Sequence, residues 1–242
     1  MALVFDIETV GERWEDLDEK TIAALSHWVE RSARSDEERE QLLAHLKDGL
    51  GFSPVTGAIV SIALFDTARK EGVTYISGEG SSQADMLPAG FTCKYRNERQ
   101  MLEDFWEGLR SYSVIVTFNG RAFDLPFLIH RSIAHGIRPD ASFMRQRYLS
   151  RQSEHFHVDL LDELTFYGAM MRKPNLHLFC RLYGIESPKE DISGQDVAAL
   201  YARGEYERIA RYNAHDVIAT VRLYEIWKKH LAPEGWDENE HM

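Results

Sequence analysis

A single α/β domain interrupted by a helical insertion is predicted by three features of this 242-residue sequence. The chain opens on a run of period-two alternation. From residue 98 onward, segments of helical spacing alternate with short apolar runs, and residues 11–52 read as a pair of amphipathic helices between the first two strands. No internal repeat or low-complexity linker divides the chain, so residues 1–231 are expected to form one unit, followed by an acidic tail over 232–242.

The elements follow in order. Leu3, Phe5 and Ile7 alternate with Val4, Asp6 and Glu8, as a strand requires. In the insertion, Trp14, Leu17, Thr21, Leu25 and Trp28 recur at helical spacing, and Ser35 with Glu38 forms a capping box ahead of Leu42, Leu43 and Leu46. Residues 57–65 and 72–78 are β-branched or aromatic runs bounded by glycine and joined by a charged turn, the pattern of a hairpin. Met101, Leu102, Phe105, Trp106 and Leu109 share one helical face, and residues 113–118 form a continuously apolar run of the central-strand type. Residues 125–136, 160–168 and 176–184 read as helices stopped by Gly136, Gly168 and Gly184, and a long helix covers 205–229.

A content of 44% hydrophobic and 28% charged residues excludes disorder, collagen and coiled coil. No apolar run approaches membrane-spanning length and no basic leader precedes the first strand, so a cytoplasmic protein without a membrane partner is expected. Cys93 and Cys180 lack metal-ligand spacing and read as buried thiols. The formal charge of −11 opposes a polyanionic partner, but it is unevenly spread: −5 falls in residues 11–52 and −4 in the tail, leaving −2 elsewhere. Metal bound to some of those acids would leave a neutral to basic working surface.

Three segments carry chemistry. Asp6 and Glu8 are i and i+2 on one strand, so their carboxylates leave the same face roughly 7 Å apart, an expensive pairing unless a cation sits between them. All-oxygen sites of this kind suit Mg²⁺ or Mn²⁺. On the long helix, Asp216 falls about 20° from Ile209, inside the stripe of Val217, Thr220, Leu223, Tyr224 and Trp227, with Tyr212 one turn earlier. A carboxylate there needs a compensating charge. Asp124 stands between a central strand and a helix with Pro126 in its first turn; alone it reads as a helix cap, whereas its place at the end of a central strand favours a functional role.

Phe5-Asp6-Ile7-Glu8-Thr9, Asn119-x3-Phe123-Asp124 and Tyr212-x3-Asp216, in this order, resemble the three exonuclease motifs of the DEDDy 3′–5′ exonucleases. The likeness is greatest to the proofreading domain of family B DNA polymerases, as found in stand-alone predicted bacterial exonucleases, and residues 176–216 resemble the stretch those proteins carry before and through the third motif. The resemblance implies a ribonuclease-H-like fold, a five-stranded mixed sheet with its second strand antiparallel and flanked by helices, here with a two-helix insertion after the first strand. It implies two-metal phosphodiester hydrolysis releasing nucleoside 5′-monophosphates. Asp6 would bridge both ions, Glu8 and Asp216 would complete the first, Asp124 would hold the second through water, and Tyr212 would orient the attacking water. Asn119, Phe123, Ile7 and Thr9 would contact a single-stranded 3′ end, DNA in preference to RNA. The insertion lies outside the motif pattern, and these residues include no polymerase domain.

Other residues invite competing readings. Arg211 stands where the related DEDDh class has its histidine, and His215 points off the site face. His155 and His157 beside Asp159 could be imagined as a metal site but lack further ligands; Asp159 reads as a helix cap. Arg131, Arg138, Arg145, Arg147 and Arg151 against Asp140 give a local +4, and with Phe143 and Tyr148 they suit single-stranded nucleic acid. Arg172 and Lys173 follow. The insertion is expected either to act as an acidic flap that limits access or to cover one edge of the sheet with Trp14, Leu17, Leu25 and Trp28. The alternative functions are a non-catalytic nucleic-acid-binding module on the same fold, marked by loss of carboxylates, and an exonuclease of RNA or short oligonucleotides.

Overall fold

A computed structural model describes residues 1–80, 87–152, 155–186 and 192–238. Glu240, one of the acids assigned to the tail, lies outside them. The strands are β1 (Ala2–Gly11), β2 (Gly57–Asp66), β3 (Glu71–Ile76), β4 (Phe91–Tyr95), β5 (Val114–Thr117) and β6 (Phe156–Asp159). They form one mixed sheet in the order β4-β3-β2-β1-β5-β6, with β2 antiparallel to β1 and β3 and every other pairing parallel. The β2–β3 hairpin closes through Asp66, whose Oδ1 accepts from the backbone of Ala68 and Arg69.

The sheet has six strands where five were expected. The added one is β4 at the edge, and its signal is plain in retrospect: Phe91 and Cys93 are buried while Thr92 and Lys94 are exposed. Gly90 and the turn from Pro88 lead into it, with Gly90 O accepting from Gly72 N, but five residues of that alternation are easily passed over.

The helices are α1 (Glu19–Ser32), α2 (Asp36–Asp48), α3 (Glu98–Leu109), α4 (Asp124–Ala134), α5 (Leu160–Leu164), α6 (Leu176–Tyr183), α7 (Val197–Ala202) and α8 (Tyr206–His230). Gly184 caps α6 in the left-handed conformation that only glycine adopts without cost. The two faces of β1 divide the core. Leu3, Phe5 and Ile7 pack with α3 and α4, through Met101, Phe105 and Leu128 among others. Ala2 and Val4 face the other way, with Val217, Leu223 and Trp227 of α8. Period two then carries Asp6 and Glu8 toward α8 as well. Among the described residues no helix is long and apolar enough to cross a membrane.

The insertion does not cover a sheet edge. The edges are β4 and β6, whereas the insertion leaves from the end of β1, inside the sheet. Helices α1 and α2 pack on each other, and no residue between 11 and 52 joins the three hydrophobic core clusters. Val29 is the one buried residue of α1, and α2 has none. Ser35 caps α2 as expected, but Glu38 completes the motif on Arg34 N rather than on the cap residue. The tail, as far as Glu238, folds back: Trp236 packs edge-on against Phe156 and Trp227, and Lys228 Nζ lies 2.9 Å from Glu238.

Candidate active site

The site forms where β1 outruns its parallel neighbour. Strand β5 pairs only with Ala2, Leu3 and Val4, so the backbone N–H of Ile7 has no strand partner on that side and donates instead to Asp124 Oδ1 at 3.1 Å. Asp124 is therefore not the cap of its own helix. It is the first residue of α4, and the cap position belongs to Phe123, whose side chain makes no cap hydrogen bond.

The loop delivering Asp124 is tightly built. Asn119 adopts the left-handed conformation (φ 66°), and a Cβ on Gly120 would lie 2.3 Å from Thr117 Oγ1, so the backbone needs glycine there. Asp159 caps α5 as expected, accepting from Leu161 N, and also accepts from the backbone N–H groups of Asn119 and Arg121, both at 2.9 Å. The carboxylate at the end of β6 thus clamps the loop that carries Asp124.

Across the sheet, α8 brings Asp216 to β1. Oxygens of Asp6, Glu8 and Asp216 lie within 4.8 Å of one another, the one such group among the described residues, and Asp124 stands outside this trio. Asp6 and Glu8 both have pKa values well above the usual carboxylate range, through loss of solvation first and then through the charges around them, Asp124 and Asp216 in both cases. Asp124 is pushed up to about 8, chiefly by burial, with the charge of Asp159 adding to it. The Tyr212 phenol is raised far above its normal value by burial and then by Asp216, Glu8 and Asp6, and remains a hydroxyl donor hydrogen-bonded to Asp216.

Asn213 is a residue of this cluster that the sequence reading missed. Fully buried, it donates from Nδ2 to Asp6 Oδ2 at 2.7 Å, while its Oδ1 is 2.9 Å from the Ser61 hydroxyl on β2, which fixes the orientation of the amide. The signal was present: Asn213 falls about 40° from Ile209 on the helical wheel, a polar residue inside the apolar stripe by the same logic that singled out Asp216. Asn213→Ala is expected to weaken Mn²⁺ affinity by about ten- to a hundredfold, the usual effect of losing a group that orients a ligand. Calorimetric titration with Mn²⁺ checks this; unchanged affinity would mean that Asp6 is held in place without Asn213.

The other candidates fall as follows. Phe123 stacks at a tilt on Phe127, 5.2 Å between ring centroids, and lines a cleft beside Glu8 together with Thr9, whose hydroxyl donates to Gly51 O. The Ile7 side chain is in the core, so what it offers the site is its backbone. Among the described residues, His155 and His157 join no group of metal ligands: His157 is buried with Nε2 2.8 Å from Thr117 Oγ1, burial holds its pKa well below normal, and His155 packs on Phe143. His215 is half-buried.

The basic stretch is partly spent. Arg131 grips Glu98 with two hydrogen bonds, and Arg147 reaches Asp162 at 2.6 Å. Phe143, at 2% exposure, belongs to the core and is not available for base stacking.

The chain matches the family described as predicted 3′–5′ exonucleases related to the exonuclease domain of PolB over residues 58–241. It is 28% identical over 137 residues to a DNA polymerase of Pyrococcus glycovorans, covering 52% of this chain and 18% of that protein. It is 22% identical over 241 residues to DNA polymerase 1 of Saccharolobus solfataricus, covering 90% and 26%. The family B DNA polymerase of Pyrobaculum calidifontis shares its fold, with a TM-score of 0.58 at 18% identity, covering 94% of this chain and 24% of that one. The chain thus spans about a quarter or less of these relatives. Over more than half its length it carries the sequence pattern of one family, and it belongs to the predicted 3′–5′ exonucleases related to the exonuclease domain of PolB.

Proposed function

We propose that this protein is a metal-dependent 3′–5′ exonuclease of the DEDDy type that hydrolyses single-stranded DNA from its 3′ end and releases nucleoside 5′-monophosphates. The observation that carries the reading is the convergence of acids from distant segments, Asp6 and Glu8 on β1 with Asp216 on α8, beside the buried Asp124. Crowding of this kind is costly without a cation. The donors are all hard carboxylate oxygens, without sulfur or imidazole, and so fit Mg²⁺ or Mn²⁺.

Asp6, Glu8 and Asp216 would hold one ion, and Asp6 and Asp124 the second. When bound, the ions supply the positive charge that lowers the pKa of the attacking water and stabilises the leaving 3′ oxygen. The protein's own groups do the rest: Asn213 fixes the rotation of Asp6, the Ile7 N–H and the clamped loop fix Asp124, and the Tyr212 hydroxyl orients the nucleophilic water.

Degradation of single-stranded DNA and RNA, each labelled at the 5′ or the 3′ end, tests the reading. With Mn²⁺, 5′-labelled DNA is expected to give a shortening ladder and 3′-labelled DNA immediate release of labelled mononucleotide, with RNA cut more slowly and EDTA stopping both. Internal cleavage, or activity that survives EDTA, would overturn it. Tyr212→Phe keeps the ring and removes only the hydroxyl, so kcat is expected to fall by about 10²-fold with little change in Mn²⁺ affinity. Steady-state kinetics on the labelled DNA checks this, and an unchanged kcat would reduce Tyr212 to a packing residue.

A further inference from the structure

We propose that the cleft between the insertion and the carboxylates binds the unpaired 3′-terminal segment of a DNA strand, with Phe52 as a stacking platform and an acidic rim that keeps a second strand out. The proposal rests on the exonuclease reading and adds a subsite supplied by residues 11–52, which lie outside the family match.

The cleft, about 790 Å³, extends from Glu8, Thr9 and Phe123 to Trp14, Lys47 and Phe52 of the insertion. That is within the roughly 300–1,000 Å³ of small-ligand pockets, room for nucleotides rather than for a duplex. Its far wall is held in place. The two ends of the insertion cross where a Cβ on Gly11 would lie 2.7 Å from Leu50 Cβ and one on Gly51 would lie 3.0 Å from Gly11 N. Thr9 Oγ1 donates to Gly51 O at 2.6 Å, and Glu12 N to Thr56 O at 2.8 Å, so the crossing is bonded as well as close. Phe52 follows directly, and its distance from Glu8 is therefore set by the fold.

Phe52 is 59% exposed, a large aromatic left in water on the wall of a cleft that also contains Phe123. Lys47 Nζ sits 5.3 Å from the centroid of the Trp14 ring, joining the two ends of the insertion and placing a cation in the same cleft. Exposed aromatic faces with a nearby cation suit unstacked bases and one phosphate backbone. Glu12, Glu15 and Asp48 are exposed around the same cleft, where the charge of the neighbouring Arg13 is paired with Asp16. Within a screening length of about 8 Å they repel the phosphates of a second strand, whereas bases entering between them are uncharged.

Two measurements test this. Fluorescence anisotropy in EDTA reads binding of a labelled single-stranded oligothymidylate without hydrolysis, and steady-state kinetics compares that oligonucleotide with the p-nitrophenyl ester of thymidine 5′-phosphate, which has a single base and no second nucleotide to extend along the cleft. Phe52→Ala is expected to weaken oligonucleotide binding, and to raise its KM relative to that of the ester, by about tenfold, the cost of one lost stacking contact. Glu12→Gln, Glu15→Gln and Asp48→Asn together are expected to raise the rate on a blunt duplex several-fold relative to single strand. Unaltered oligonucleotide affinity and KM in Phe52→Ala, with an active wild-type protein, would overturn the subsite; an unaltered duplex-to-single-strand ratio in the charge variant would overturn the exclusion of the second strand. Phe52-dependent binding by a protein that hydrolyses neither substrate would support the subsite and overturn the exonuclease reading.

Discussion

Asp6→Asn is expected to lower kcat by about 10³-fold or more, because it removes a ligand from charge stabilisation worth several kcal/mol at roughly 1.4 kcal/mol per decade of rate. The substitution keeps the volume of the side chain and an oxygen to accept from Asn213 Nδ2, so the fold has no reason to suffer. It also removes a buried carboxylate whose ionised form is opposed by loss of solvation and by the charges of Asp124, Glu8 and Asp216, so the metal-free melting temperature near neutral pH is expected to equal or exceed that of the wild type. A single-turnover assay with labelled DNA at saturating Mn²⁺, paired with a melting curve in EDTA, reads both quantities. Wild-type turnover in the variant would sink the two-metal assignment, and a large loss of melting temperature would recast Asp6 as a structural residue.

The second large effect is a pH-dependent stabilisation by metal. Asp124 rises from an ordinary 3.8 to about 8, and Asp6 and Glu8 are displaced in the same direction. The native state therefore holds protons that the unfolded chain has already released. Their contribution to stability is present below the unfolded carboxylate values near pH 4 and is lost as pH rises through the folded values, up to about 8. For Asp124 alone the shift corresponds to on the order of 5 kcal/mol between those limits. His157 acts in the opposite sense, since burial disfavours its charged form and low pH costs stability. The clean readout is consequently the increment in melting temperature on adding Mn²⁺, to which His157 contributes equally with and without metal. At about pH 8 the increment is expected to reach about 10 °C, taking 2–4 °C per kcal/mol for a chain of this size, and to shrink to a few degrees near pH 5, where protons already occupy the carboxylates. A pH-independent increment, or none at all, would show that these three acids do not hold a cation.

Sequence alone was informative wherever local geometry decides. The two periods of regular structure placed Asp6 and Glu8 on one face of β1 and Asp216 on the apolar stripe of α8, since direction along a strand or helix follows from the backbone and needs no partner. The turns and stops were equally local: the β2–β3 hairpin and the left-handed Gly184 closing α6. The motif order supplied the family. Strand β4 and Asn213 were legible by the same periodicities and were passed over, one for its brevity and the other because an amide draws less attention than a carboxylate.

The tertiary structure decided whatever depends on chains meeting across long separations. That Asp216 reaches Asp6, that Ser61 orients Asn213 from 152 residues away, and that Asp159 ties down the loop of Asp124 all arise from how α8, β2 and β6 pack around β1. It moved Phe143 from a stacking surface into the core, spent Arg131 and Arg147 on buried or half-buried acids, and turned Asp124 from a cap into an acceptor for the Ile7 N–H. It also put the insertion at the mouth of the site instead of on a sheet edge, because β1 lies inside the sheet and a chain leaving its end must emerge beside Glu8. Periodicity fixes which way a side chain points from its own backbone; only the packed arrangement of distant segments fixes what it then faces.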